Sequence, residues 1–208
     1  MGSVNCTIVG QKGRGGSDYK TNAQYMGYRG TYSDDYVLSF TTGDFTGVCK
    51  SITFNIRCGN TSISGTRTYR FALLSSDANA IGATSDTNYY YCQYGVPTDV
   101  TEPNQIIKGT IAWSDIGKDS IKTLTIATTA LRSNTTYYLV LWAYSSEPSM
   151  ITISQTIHHS VILEYDDGLI YIDTGSGLEA YQCYIDNGTG WDLYLPYVDT
   201  GTGWDQCL

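Results

Sequence analysis

The residues best suited to chemistry lie in three near-copies of one short phrase at the C-terminal end of the chain. The copies recur every thirteen residues, with Tyr, Asp and both Gly identical in each. Tyr and Trp side chains offer large, rigid, amphipathic surfaces that stack on the apolar faces of sugars. Packing against sandwich edges or subunit interfaces is the alternative role for the same rings. The candidate ligand-binding residues are Tyr171, Tyr184, Trp191, Tyr197 and Trp204.

Each copy also carries an Asp-x-Gly-x-Gly turn, at Asp173, Asp186 and Asp199. A calcium site usually needs six or more oxygen ligands from several acids, and each turn offers one carboxylate. Asp and Asn close Asx-turns, while Gly adopts positive φ at little cost. We therefore interpret these aspartates as turn formers and predict no metal site and no cofactor.

The other candidate catalytic groups are two histidines and two pairs of acids. His158 and His159 are adjacent, so in a strand they point to opposite faces and cannot share a metal ion; we expect a solvated pair near a turn. Asp34-Asp35 and Asp166-Asp167 are neighbours within loops, which favours solvated turn residues over the two carboxylates of a glycosidase. Phosphate-binding and nucleophile motifs are absent from the sequence. The sequence predicts a protein that is not an enzyme.

Six cysteines occur without metal-binding spacing. Cys49 and Cys58 bracket a run that we predict to be one extended strand, so they lie too far apart to bond to each other. Buried or scattered free thiols are expected, although other pairings stay open.

Short runs with strand periodicity, separated by turn clusters, must position these groups. Strands are predicted at about 36–41, 49–58, 68–75, 106–113, 121–127, 136–144, 150–157 and 160–165. The glycine-rich stretch 10–17 is predicted to be an exposed loop, and 76–104 an irregular insertion. Many short strands without helical periodicity indicate an all-β, antiparallel, jelly-roll-like β-sandwich.

The repeats predict a different organisation for the C-terminal end. Each period holds one strand and one tight turn, which favours a short meander of β-hairpins. We therefore predict two domains, a sandwich at 1–166 and the hairpin repeat array at 167–208.

Composition excludes two classes of partner. The net charge is −8, and the Lys and Arg clusters that phosphate contacts require are missing. No apolar run approaches the length of about 20 residues that a membrane helix needs. Neither nucleic-acid binding nor membrane insertion is expected.

The repeat unit Tyr-[Ile/Val]-Asp-[Asn/Thr]-Gly-x-Gly-Trp, joined through 193–197, resembles the C-terminal repeats of tail-associated and other virion structural proteins of phages that infect Gram-positive gut bacteria. The segments 51–54, 67–73 and 134–142 are similar to the β-sandwich of such proteins, so the resemblance covers roughly 50–208. Leu178 replaces Trp in the first repeat, which weakens the case for aromatic contact there.

This resemblance implies a non-enzymatic protein of the virion or extracellular surface, acting in particle assembly or host-surface adhesion. Its implied partners are other copies of itself, other virion proteins and a host cell-surface glycan. The alternative is a carbohydrate-binding module or lectin that uses its Tyr and Trp surface.

Overall fold

The computed structural model describes residues 2–13, 19–29, 32–76, 105–143, 150–167, 169–173, 178–186, 191–194, 197–199 and 204–206. In these ranges the chain is all-β, with one turn of 3₁₀ helix at Thr156–His158. The strands are β1 (Gly2–Asn5), β2 (Thr7–Gly13), β3 (Gln24–Arg29), β4 (Tyr32–Asp34), β5 (Tyr36–Thr41), β6 (Val48–Arg57), β7 (Ile63–Leu74), β8 (Gln105–Ile116), β9 (Ile121–Ala127), β10 (Thr136–Ala143), β11 (Ile151–Ile153), β12 (Ser160–Asp166), β13 (Leu169–Asp173), β14 (Leu178–Asp186), β15 (Trp191–Tyr194), β16 (Tyr197–Asp199) and β17 (Trp204–Gln206).

Two antiparallel sheets form the body of the fold. One has the strand order β1-β12-β6-β9 and the other β2-β5-β10-β7-β8. The larger of two clusters of buried apolar side chains contains residues from both sheets, so the sheets pack face to face as a sandwich. The second cluster lies on the other side of the five-stranded sheet and contains Val37, Ala72, Leu74, Val140 and Trp142. The predicted all-β class and antiparallel sheets are confirmed.

The alternation of side chains along β6 explains why its two faces differ. Ile52 and Phe54 are fully buried in the core, while Thr53 and Asn55 point away from it. The ring of Phe54 meets that of Phe40, in the facing sheet, edge to face with centroids 5.2 Å apart. This ring pair is one of the contacts that join the two sheets across the core.

Side chains tie the two sheets together where β8 and β9 form their edges. The indole Nε1 of Trp113 donates to the carbonyl of Thr123 at 3.2 Å. Reciprocally, Lys122 Nζ donates to the carbonyl of Ser114 at 2.6 Å. Each bond occupies a carbonyl on one edge strand with a side chain from the other, which protects both edges from pairing with another chain.

A small sheet of order β11-β3-β4 continues beyond the end of β6. Gly59, just after β6, donates its N–H to the carbonyl of Thr152 at 2.6 Å, and the backbones of Cys58 and Ile153 form an isolated antiparallel β-bridge. Met26 of β3 is fully buried in the main core. The small sheet is therefore attached to the four-stranded sheet through the segment that follows β6.

The predicted exposed loop at 10–17 is wrong for residues 10–13, which form the second half of β2 and are buried. Gln11 pairs with Lys20 through two backbone hydrogen bonds. Lys12 lies with its ammonium 4.5 Å from the centroid of the Tyr19 ring, a cation–π contact. The partners of these polar residues lie in later segments, so local sequence gives no sign of their burial. Residues 14–17 lie outside the described ranges.

Most predicted strands are confirmed, with ends shifted by a few residues. The stretch predicted at 150–157 is instead β11 followed by the 3₁₀ turn. Cys49 and Cys58 are buried free thiols near the two ends of β6, as expected. The division at residue 166 stays a prediction, and the predicted insertion lies, from 77 to 104, outside the described residues. Within those residues there is no helix long and apolar enough to cross a bilayer.

Gly47, just before β6, supplies a stability test. Its φ is +118°, and a Cβ built there would lie 1.9 Å from the carbonyl oxygen of Asp166. We expect Gly47→Ala to lower the free energy of unfolding by about 3 kcal/mol or more. Gly117 is the matched control, because a Cβ there meets no atom within 4 Å. Denaturant unfolding of both variants checks the prediction, and equal stabilities would contradict it.

Candidate functional site

The five predicted ligand-binding residues lie in backbone hairpins that share one register. In each hairpin the Asp of the repeat pairs with the first residue of the second strand. The Tyr two residues before that Asp pairs with the third residue of the second strand. The closing pairs are Asp173 with Leu178, Asp186 with Trp191, and Asp199 with Trp204. The Tyr pairs are Tyr171 with Ala180, Tyr184 with Leu193, and Tyr197 with Gln206.

Strand β14 belongs to two of these hairpins, so Tyr171, Tyr184 and Trp191 lie in one three-stranded sheet. Tyr197 and Trp204 lie in the two-stranded sheet of β16 and β17. The backbone thus repeats the same pairing wherever the sequence repeats. Ligand binding by these five residues stays a prediction, as does the array as a unit.

One acid of each pair is buried rather than solvated. Asp35 is fully buried, and Asp166 is almost fully buried with Oδ2 3.1 Å from Lys50 Nζ. The expectation of solvation is therefore wrong for Asp35, which lies just before β5, and for Asp166, the last residue of β12. Asp166, at the end of β12, thus forms an ion pair with Lys50 of the neighbouring strand β6. Within the described ranges, no three His, Cys, Asp or Glu side chains converge on a possible metal position.

The adjacent histidines point in different directions, as expected, but they are not a solvated pair. His158 is exposed, whereas His159 is buried where β12 begins. His159 Nδ1 accepts a hydrogen bond from the backbone N–H of Arg57 at 3.1 Å. Its proton therefore lies on Nε2, which faces Gln11 Oε1 at 3.3 Å.

Gln11 is the hub of this buried network. Its Oε1 also accepts the hydroxyl proton of Tyr36 at 2.8 Å. Its Nε2 donates to two backbone carbonyls, Asn22 at 2.5 Å and Ser154 at 2.8 Å. The amide thus makes two bonds on each side, and a fully partnered buried network gives a defined geometry. It links β2 and β5 to the segments that flank β3 and β11.

The buried network favours the neutral form of His159 over the protonated form. Burial lowers the pKa of His159 to about 4, helped by the neighbouring His158 and opposed by a hydrogen bond to the backbone of Ser154. The neutral ring is the form that Arg57 requires, because protonated Nδ1 cannot accept its N–H.

A groove of approximately 450 Å³ opens beside His159, between the crossover from β1 to β2 and the 3₁₀ turn. Ile157, which is 75% exposed, and Val9 contribute apolar surface to it. Cys6 also lines the groove, and burial raises the pKa of its thiol to about 11. A thiol that stays protonated at neutral pH is a poor nucleophile. The lining therefore suits packing or binding of uncharged groups.

Three tyrosines before residue 37 have described side chains, and they divide into core and surface residues. Tyr36 is fully buried, and Tyr19 packs against Tyr138 with ring centroids 6.0 Å apart. Tyr25, in contrast, is 57% exposed on β3. The sequence marks all of them as aromatic, and only the fold separates the exposed ring from the others.

Comparisons with known proteins show a remote likeness to a solved structure. No protein-family model matches the chain, and no curated protein matches it. Among solved structures, the chain is similar to the K1 cleaved adhesin domain of Lys-gingipain (Kgp) from Porphyromonas gingivalis W83, at 12% identity. The match covers 80% of this chain and 99% of that chain, with a TM-score of 0.33. A likeness at this level carries no argument about function.

The buried histidine predicts a pH-dependent stability. Because its pKa is lower in the folded chain than the ordinary 6.5, the unfolded chain binds the proton first. The stability due to neutral His159 is therefore full above pH 6.5 and is lost as the pH falls toward 4, by about 3 kcal/mol in total.

Asn at position 159 keeps an acceptor near Nδ1 but cannot titrate. We expect His159→Asn to flatten the dependence of unfolding free energy on pH between 5 and 7. His158→Asn, at the exposed neighbour, should change the slope much less, because burial is the larger cause of the lowered pKa of His159. Denaturant unfolding at each pH measures the slopes. An unaltered slope in His159→Asn would show that another group titrates in this range.

Proposed function

We propose that the chain is a non-enzymatic phage virion structural protein, tail-associated or at the particle surface, that acts in particle assembly or host-surface adhesion. The single observation that carries this proposal is the shared register of the hairpins, which sets Tyr171, Tyr184 and Tyr197 at one pairing position. A repeated position for the same ring suits repeated weak contacts rather than one catalytic pocket. The resemblance of the repeat unit to virion proteins supplies the setting.

The jelly-roll topology belongs to the same proposal. A jelly roll is an antiparallel ribbon of eight strands rolled into two sheets, so its strands pair first with last, second with seventh, and inward. Omitting β2 and the strands of the small sheet, the observed pairs nest in this order: β1 with β12, β5 with β10, β6 with β9, and β7 with β8. Sandwiches of this kind suit a particle surface because their loops and outer faces stay free for contacts.

Copy number explains how such a module would adhere. Linking many weak sites on one particle converts later binding events into intramolecular ones, so avidity exceeds the affinity of any site. The same reasoning favours homo-oligomers and contacts with other virion proteins as the partners within the particle.

A carbohydrate-binding module or lectin outside a virion is the second candidate function. It is favoured by the same Tyr and Trp positions in the hairpins, since aromatic rings at regular spacing suit successive sugar units. In this case the array itself would be the glycan site.

The virion setting has a direct test. Mass spectrometry of purified virions of the parent phage should detect this polypeptide as a structural component, and electron microscopy of the purified protein should show rings, trimers or filaments. Virions that lack the polypeptide would overturn the proposal.

Variants of the array separate adhesion through the hairpins from assembly alone. We expect Trp191→Ala with Trp204→Ala to weaken binding to host cells by about tenfold or more, because two stacking surfaces are lost. Leu178→Trp, which restores the aromatic residue in the first repeat, should strengthen it. Ile121→Ala serves as the control, since Ile121 is an exposed apolar residue of the sandwich. Unchanged cell binding in the double variant would exclude the array as the adhesive surface.

A further inference from the structure

The outward side of the four-stranded sheet, continued by the small sheet, forms one polar surface that no part of the proposed function uses. Its side chains alternate with the core residues of the same strands, so they point away from the sandwich. We call it the hydroxyl face and define it by Tyr25, Ser51, Thr53, Asn55, Thr61, Thr123, Thr125, Thr152 and Ser160.

Cross-strand hydrogen bonds hold the hydroxyl face in place. Thr53 and Thr125 are paired through their hydroxyls at 3.0 Å. In the next row Thr123 donates to Asn55 Oδ1 at 2.9 Å, and Asn55 Nδ2 donates to Ser160 Oγ at 3.0 Å. A hydroxyl has one donor and two acceptor positions, so each keeps capacity for a further bond. Side chains already fixed by their neighbours lose little entropy when they bind a ligand.

The exposed aromatic ring of Tyr25 lies at one end of the hydroxyl face. Tyr25 is 57% exposed and lies directly across from Thr152 in the pairing of β3 with β11. The hydroxyl of Thr152 is 2.8 Å from that of Thr61, on the segment after β6. A ring with two hydroxyls beside it offers both stacking and hydrogen bonding. Along β6 alone, from Ser51 to Arg57, the surface extends for about 20 Å, at roughly 3.3 Å per residue.

The charge of the hydroxyl face limits what it can bind. Arg57 lies between Asn55 and Thr61, but its Nε is 3.9 Å from Asp119 Oδ1, which offsets its charge. Glu164, at the opposite end, accepts a hydrogen bond from Ser51 at 3.0 Å. Phosphate-rich ligands need clusters of cations, which the hydroxyl face does not provide. Ile121 and Ile162 also lie on this side of the sheet, but the row that contains Asn55 separates them. They therefore form no continuous apolar core of the kind that protein partners usually need. A neutral polyhydroxylated chain matches its chemistry.

We propose that the hydroxyl face binds a neutral glycan, with one sugar ring stacked on Tyr25 and further sugar hydroxyls bonded to the Thr, Ser and Asn rows. This inference rests on the adhesion part of the proposed function, and it adds a glycan site on the sandwich that is separate from the C-terminal hairpins. A particle protein with two such sites gains avidity from each copy.

The test uses the full chain on an array of neutral oligosaccharides, including N-acetylated ones, with isothermal titration of the best binder. We expect Tyr25→Ala to weaken binding about tenfold or more and Tyr25→Phe to retain it, because stacking needs the ring. Thr53→Val with Thr125→Val removes two hydroxyls at nearly constant shape and should weaken binding several-fold. Thr110→Val is the matched control, because it removes an exposed hydroxyl from β8 in the five-stranded sheet, away from the hydroxyl face, and it should have no effect.

The hairpin variants distinguish this inference from the proposed function. If Trp191→Ala with Trp204→Ala abolishes glycan binding and Tyr25→Ala does not, adhesion stands and the hydroxyl-face site is wrong. Absence of neutral glycan binding by the wild-type chain, or binding to anionic glycans only, also overturns the inference. Should Tyr25→Ala fail to fold, amide shifts in β3 and β11 of the wild-type chain on glycan titration decide the matter. Shifts confined to β13–β17 would contradict it.

Discussion

The alternation of side chains along β6 is the constraint on which the sandwich depends. Ile52, Phe54 and Ile56 point into the core, and the residues between them form the middle of the hydroxyl face. Because the side-chain period of a strand is two, a slip of one residue would exchange these faces completely. β6 pairs with β12 on one side and β9 on the other, so its register sets both neighbours. The alternation of side chains along β6 therefore produces both the apolar core on one face and the hydroxyl face on the other.

The sandwich also depends on polar groups that are buried with their partners. Gln11 and His159 join β2 to the start of β12, and Trp113 joins the two sheets at the opposite edges. An unpartnered polar group in the interior would cost more than its hydrogen bond contributes, so these contacts specify one arrangement of the segments. These hydrogen bonds stabilise loops and sheet edges, and apolar contacts stabilise the centre of the sandwich.

Sequence patterns predicted the strands whose apolar residues alternate. The predicted ranges 36–41 and 121–127 coincide with β5 and β9, since period and bounding turns are both local signals. Prediction was wrong at β2, where Gln11 and Lys12 carry no apolar pattern and are buried by contacts with Tyr36 and Tyr19. The sequence also contained no sign that the ring of Tyr25 is exposed while that of Tyr36 is buried. Exposure of a ring depends on which strand passes over it, and that information is not local.

By itself the sequence determined the β class, most strand positions and the thirteen-residue period of the C-terminal phrase. These follow from local physics: alternation decides the faces of a strand, and Asp and Gly decide where it turns. Only the tertiary structure decided that His159 is buried and neutral, and that Thr53 and Thr125 stand side by side. Both facts depend on residues far apart in the chain, because burial and cross-strand contact are set by how the strands order themselves in the sheets.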